Sequence, residues 1–580
     1  MERKHPLVDV GAVEKKHTKI AAAASSATSE MTTGSTDIPE APPIKKNKVS
    51  VQTELNMPKK IGVVAKNKID RQLMKLFFKD YQPFGIVEDE GFREFVNILN
   101  PNYSIPTRKT LTHTLLPAMF EETLNNVKSL LKDVRSVTLT TDHWTSINTE
   151  SFIAVTIHYI EENNFQLKSV LLECSATSQA HTSVNIAREL NNIVVTWGIE
   201  NKIMLAVTDN AANIRKAIRD ELKWKHFGCF AHTINLIAED CIVLVDDLVK
   251  KVRDLVSHFK RSTKSTIKLN EIQIQMGKTP KKLIQDVRTR WNSTFYMIER
   301  FLELEEPVRS TMALLDSDKL PVIVVEEWKM LADIKKVLEP LEAVTNIMSG
   351  QNYVTLSSVI VLTKGLESIL KEMETQDFAL VQTMVNAMLQ SIKDRLGDLE
   401  SSNTLLISTF LDPRFKNVAF SSDIVAERSK KLVINLVTQK VTESGEVMKQ
   451  AQENILKPSN ENKNAPSENY PSKKSIWSHF DKKIAGLQPS GTSMSRAIIE
   501  VQRYLEDGLL ERDKDPLTWW RQHAYNYPFL SKIVIEKMGS VATSVPSERI
   551  FSKMGQILTE RRSRLTSDKV SKLVFMNVNV

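Results

Sequence analysis

The chain has 580 residues, a net charge of +8 and a pI near 9.0, with 41% hydrophobic and 26% charged residues, the balance of a multidomain soluble globular protein with a mild basic excess compatible with nucleic acid. No apolar run is long enough to span a bilayer and no apolar segment follows the charged start, so neither a membrane partner nor secretion is expected. Three cysteines (Cys174, Cys229, Cys241) point to a reducing compartment and exclude both a disulfide framework and a zinc finger built from cysteine pairs.

Residues 1–65 read as a disordered tail, with low-complexity stretches around Ala21–Ser29 and Pro39–Pro43. Lys45-Lys46-Asn47-Lys48 and Lys59-Lys60 read either as a nuclear import signal or as a solvated basic patch. Residues 66–134 are helical by period: Ile69, Leu73, Leu76, Phe77 and Tyr81 share one face, and Phe92, Phe95, Val96 and Leu99 another. Pro106 opens a third run with Leu111, Leu115, Leu124, Val127 and Leu131.

The period then changes to two. Ser136–Thr141 alternates and ends at Asp142; Phe152–Ile160 and Leu167–Cys174 are further strands around a Glu161–Asn164 turn. Thr182 caps a helix with Ile186, Leu190, Ile193, Val194 and Trp197 on one face and Gly198 past its end. Ile203–Thr208 is a fourth strand, ending at Asp209. A three-strand meander, a helix and a strand open a ribonuclease H-like sheet, spanning 135–300 with its helical continuation. From about 211 the chain is read as almost wholly helical: a large helical insertion over 301–514, with a disordered linker near 450–475, and a helical C-terminal region over 515–580. The fold class is thus α/β plus all-α.

Strands one and four are expected as parallel neighbours, which puts Asp142 and Asp209 at one sheet edge. Two carboxylates there, with Glu548 as a third near a helix start, have the chemistry to hold Mg2+ or Mn2+. Two such ions about 4 Å apart activate a nucleophile and stabilise a leaving oxygen. Against this stands the ordinary reading of an acid at a strand end, an N-cap or turn residue.

Thr141-Asp142-His143-Trp144-Thr145-Ser146, Thr208-Asp209-Asn210-Ala211-Ala212-Asn213 and Ala542–Arg564, which contains Ser544-Val545-Pro546-Ser547-Glu548-Arg549, resemble the hAT superfamily of DNA transposases. Within it the likeness is to the domesticated zinc finger BED domain-containing proteins, from about Ile69 to the end. The resemblance implies a ribonuclease H-like domain split by an all-helical insertion before its last acid, with Asp142, Asp209 and Glu548 as the catalytic and metal-binding triad. It identifies Cys229-Phe230-Ala231-His232 as the Cys-x-x-His motif, with His232 near the active site to contact a phosphate or shuttle a proton. A packed helix start and a zinc site using His226, Cys229 and His232 are the other readings; a structural zinc wants four ligands, so none is expected.

Arg290-Trp291-Asn292-Ser293 matches the Arg-Trp motif, implying DNA contact by Arg290 and stacking of Trp291 on a flipped base, typically worth ~1–3 kcal/mol. Burial of Trp291 in the core of its helix is the alternative. Lys250-Lys251, Arg253, Lys260-Arg261, Lys264, Lys278, Lys281-Lys282, Arg288 and Arg290 form a basic region that either tracks phosphates or is a solvated face. The C-terminal block, including Trp519, Trp520, Ile550, Phe551, Leu565, Leu573 and Val574, is implied to dimerise, or to complete the chain's own core, or both. Arg561, Arg562 and Arg564 precede a last helix capped by Ser567.

The BED finger that usually opens such proteins is not in this sequence. Two functions follow: a domesticated, dimeric, nuclear DNA-associated protein in transcription regulation, or a transposase, active or remnant, that cleaves and joins strands. The expected partners are DNA and a second copy of the chain, with no small-molecule substrate.

Overall fold

The computed structural model describes residues 61–145, 150–177, 179–315, 320–350, 353–374, 379–456, 491–557 and 565–580. Most of the expected tail and linker, and Arg561, Arg562 and Arg564, lie outside them. The chain divides into two units. The described part of the smaller is residues 61–73 and 84–108, and the larger is Met74–Pro83 with Lys109–Val580.

The first helix, α1 (Val63–Phe78), runs from the smaller unit into the larger. In the smaller unit Asp70 is buried, accepting 2.6 Å from the Tyr103 hydroxyl and 2.8 Å from Lys66. The helix α2 (Glu90–Leu99) is amphipathic in sequence, yet buries none of its residues. In the larger unit α3 (Leu116–Asp133) follows a π-turn at Leu111–Leu115, and contributes Val127 and Leu131 to the sheet core.

The sheet has five strands: β1 (Val137–Thr145), β2 (Ser151–Glu161), β3 (Gln166–Thr177), β4 (Ile203–Thr208) and β5 (His226–Gly228), in the order β3-β2-β1-β4-β5. The meander is antiparallel, and β1, β4 and β5 run parallel. Two differences from the sequence reading have simple causes. Strand β1 continues past Asp142 because its pairing with β2 persists to Thr145↔Ser151. Strand β5 is not expected from the sequence, because three residues are too few to show a period.

The helix α4 (Ser183–Thr196) starts where Thr182 accepts a bond from the Asn185 amide, and ends at Gly198, with φ +64°. Its Leu190, Ile193 and Val194 cover one sheet face over Leu139, Ile153, Val155 and Ile157. On the other face, Leu205 and Val207 meet a long helical core. That core begins with α5 (Phe230–Ile242), α6 (Asp246–Arg261) and α7 (Trp291–Glu303).

The C-terminal region starts in α8 (Ser493–Glu506) and α9 (Pro516–His523). Asp515 caps α9 by accepting the Leu517 and Thr518 amides. Trp520 is fully buried and donates its indole N–H to the Leu411 carbonyl at 2.9 Å. The last two helices are α10 (Val545–Ile557) and α11 (Ser567–Asn579). Thr566, rather than Ser567, occupies the cap position of α11; Ser567 donates to Glu150 instead. Asn579 closes α11 onto β3, exchanging two hydrogen bonds with the Leu171 backbone. No helix of the described residues is long and apolar enough to cross a membrane.

Candidate active site

In β1, residues 138, 140, 142 and 144 point to one face. Three of these four meet the C-terminal segment directly. The Thr138 and Ser540 hydroxyls are 2.8 Å apart, and Ser547 donates to Thr140 at 3.2 Å; all four are buried. Trp144 stacks on Phe551, with ring centroids 5.9 Å apart and planes 20° from parallel. Between these contacts stands Asp142, one strand period beyond Thr140. Glu548 follows Ser547 in the first turn of α10 and is exposed.

Thr140 also bonds His158 Nε2 at 3.1 Å, and His158 Nδ1 bonds Ser169 at 2.8 Å. Full burial lowers His158 to about 3, so this ring is neutral and serves as a bridge.

Asp209 arrives from β4. In the β1–β4 register Thr140 faces Val207, so Asp142 and Asp209 lie equally far past one pair. Asp209 accepts the Ala211 amide at 3.2 Å, forming a turn, and Asp142 accepts the His143 amide at 2.8 Å. The Asp142 carboxyl is pushed up to about 7, first by burial, then by the charge of Glu548, and further by Asp209. The three acids therefore share one electrostatic neighbourhood.

The Cys-x-x-His segment locks the remaining side. The Cys229 amide donates to the Thr208 carbonyl at 2.7 Å, setting α5 directly beside Asp209. Cys229 Sγ accepts the His232 amide at 3.5 Å and the Ser544 amide at 3.3 Å, and the Phe230 amide donates to the Ala542 carbonyl at 2.9 Å. The thiol is wholly buried, and burial raises its pKa, so Cys229 works here as a hydrogen-bonded structural thiol. A Cβ at Gly228 would lie 2.0 Å from Asn210 Oδ1, so a larger residue there would displace the Asn210 side chain from its bond to Thr233. His232 sits half-buried in the first turn of α5.

The donors offered by the three acids are hard carboxylate oxygens, suited to Mg2+ or Mn2+. Among the described residues, no group of three His, Cys, Asp or Glu is close enough to cage an ion. Any ion there would therefore need water and phosphate oxygens to complete its ligands.

Trp291 is 2% exposed, in the core shared by Ile234, Ile237 and Phe295, and its amide donates to Asn235. In this conformation it is a core residue, and base stacking would require the ring to leave that core. Arg290, at the start of α7, is exposed. Part of the basic region is neutralised within the chain. Arg253 pairs with buried Asp286, Lys251 with Glu327, Lys278 with Glu306 and Lys281 with Glu303. Lys260, Arg261, Lys264, Arg288 and Arg290 make no ion pair among the described residues.

The aromatic C-terminal block is likewise largely internal: Trp520, Ile550, Phe551, Leu573 and Val574 are buried within the single chain, with Trp519 and Leu565 half-buried. The hydroxyls Thr138, Thr140, Ser540 and Ser547 did not emerge from the sequence reading. Their signal was alternate threonines leading to Asp142, and a run of small hydroxyl residues before Glu548.

Comparison with known proteins gives three family matches: the ZBED1 RNase-like domain over residues 140–229, the ZBED1 RNase-like helical domain over 227–337 and the hAT family C-terminal dimerisation region over 500–580. Human zinc finger BED domain-containing protein 4 is 26% identical over 527 residues, covering 88% of this chain and 43% of that protein. The Putative AC transposase of Zea mays is 25% identical over 557 residues, covering 91% and 68%. Human zinc finger BED domain-containing protein 6 is 23% identical over 545 residues, covering 88% and 55%. The chain thus spans about half the length of the two human relatives. It is similar over most of its length to hAT transposases and BED-finger proteins, with segments that match the ZBED1 RNase-like domains and the hAT C-terminal dimerisation region.

Proposed function

We propose that this chain is a domesticated, transposase-derived nuclear protein that associates with DNA as a homodimer, in transcription regulation. The observation that carries the dimer is a set of exposed apolar side chains in the first half of α8, just before the matched dimerisation region, which begins at residue 500. Met494, Ile498 and Ile499 are exposed there, while Ala497, Val501 and Tyr504 of the same helix are buried. The interface is therefore assigned to this exposed apolar face. Static light scattering of the full chain should give twice its 65.8 kDa mass. Ile498→Glu with Ile499→Glu should return the single-chain mass with the wild-type secondary structure retained, since both side chains are exposed. A monomeric wild type refutes the dimer.

A second reading, two-metal strand cleavage and transfer, is favoured by the convergence of Asp142, Asp209 and Glu548. One or two of these carboxylates, completed by water and phosphate oxygens, would hold Mg2+ or Mn2+, which when bound supplies an activated nucleophile and stabilises the leaving oxygen. In this reading His232, in the first turn of α5, contacts a phosphate or exchanges a proton, and exposed Arg290 binds the backbone. Manganese-dependent nicking of duplex DNA by the wild type, lost in Asp209→Ala, supports this reading; equal activity in both proteins sinks it.

Metal binding has its own readout. The folded-state pKa of Asp142 lies near 7, above its ordinary 3.8. Its contribution to stability is therefore full below about pH 4 and is lost as pH rises through about 7. Asp142→Asn, which stays uncharged, should flatten thermal stability across that window. At pH 8, Mg2+ or Mn2+ should raise the unfolding temperature of the wild type and much less that of the variant. An equal shift in both proteins would contradict metal binding at Asp142.

A further inference from the structure

Three lysines and an arginine gather beside the acid site. On α10, Arg549 and Lys553 are one turn apart on one face. At the end of α1, within the larger unit, Lys75 and Lys79 have the same spacing, and the Lys79 amide still bonds the Lys75 carbonyl at 2.7 Å. Like charges at this spacing destabilise a helix, so each pair needs a compensating interaction.

Backbone oxygens position the cluster. Lys79 Nζ donates to the Asn577 carbonyl at 2.8 Å, near the C-terminus of α11, where the helix dipole favours a cation. Asn577 Nδ2 donates in turn to the Phe78 carbonyl at 2.6 Å. Arg549 donates to the Ser349 carbonyl at 2.8 Å. An ammonium has three donors, so Lys79 keeps two beyond its bond to that carbonyl. Burial lowers the pKa of Lys553, and the charges acting on it, Lys79 and Arg549, are both positive and lower it further; burial and Lys75 do the same to Lys79. Lys75, Lys79 and Lys553 make no ion pair with an acid among the described residues. Glu548 and Arg549 are sequence neighbours, so this cluster adjoins the third acid.

We propose that Lys79 and Lys553, flanked by Lys75 and Arg549, are a binding site for the phosphate backbone of duplex DNA, contacting successive phosphates independently of sequence. A polyanion supplies the negative charge that the three lysines lack within the fold, and the position next to Glu548 leads that backbone to the acid site. The proposal rests on the DNA-association reading above and adds the residues that would carry it.

The test is fluorescence anisotropy of the full chain with short duplexes of unrelated sequence, across a salt series. Lys79→Gln with Lys553→Gln should weaken binding alike for every sequence. It should also flatten the slope of log K against log salt by about 1.8, roughly 0.9 for each phosphate no longer neutralised. The charge-keeping pair Lys79→Arg with Lys553→Arg should retain the wild-type slope, which separates charge from any folding defect. A glutamine pair matching wild type in affinity and slope overturns the site while leaving DNA association standing. An arginine pair that fails as the glutamine pair does also overturns it. A wild type that binds no duplex overturns the DNA-association reading itself.

Discussion

The structure depends on a zipper between one face of β1 and the segment 540–551. Thr138 meets Ser540 and Thr140 meets Ser547, across separations of 402 and 407 positions in the chain. Trp144 closes the far end on Phe551. A buried hydroxyl pair adds only about 0.5–1.5 kcal/mol net, but leaving one partner unsatisfied in a dry interface costs about 1–3 kcal/mol. The zipper thus acts chiefly by specifying register. One slip of β1 would turn Asp142 away from Glu548 and bury the wrong face. Cys229 extends the same logic to β4, because its sulfur receives amides from both α5 and the Ser544 segment.

Charge is distributed around this zipper by sign. Burial and neighbouring acids raise the Asp142 carboxyl within β1, and burial and neighbouring cations lower the Lys553 ammonium on α10. Both departures have the same physical origin: burial removes solvent from a charged group whose neighbours carry the same sign. On the readings proposed above, divalent cations would occupy the first cluster and backbone phosphates the second. The buried His158 bridge is different in kind. It is neutral and satisfied at both ring nitrogens, and it fixes Thr140 without titrating near neutral pH.

What was legible in the sequence was what local period encodes. The meander, the Thr182 cap, Gly198 and the parallel pairing of β1 with β4 follow from alternation, capping chemistry and crossover handedness. What was not legible depends on which surface covers which. An apolar-aromatic residue such as Trp291 reads equally well as a stacking ring or a core residue, and only the packing of α5 against α7 decides. The same holds for Trp520 and Phe551, whose partners within the chain are Leu411 and Trp144. The basic region looked continuous because its neutralising acids, Asp286, Glu303, Glu306 and Glu327, belong to other turns and helices. Conversely, the cluster around Lys553 was invisible because its members come from opposite ends of the chain.

The central claim is that the β1 zipper holds the last acid against the sheet. A double-mutant cycle on Thr140→Val and Ser547→Ala, followed by equilibrium unfolding, tests it most directly. The account predicts that the two losses are not additive, with the double variant losing less than the sum by about 0.5–1.5 kcal/mol, the net worth of the shared bond. Strict additivity would show that the two hydroxyls do not interact in solution and would contradict the account.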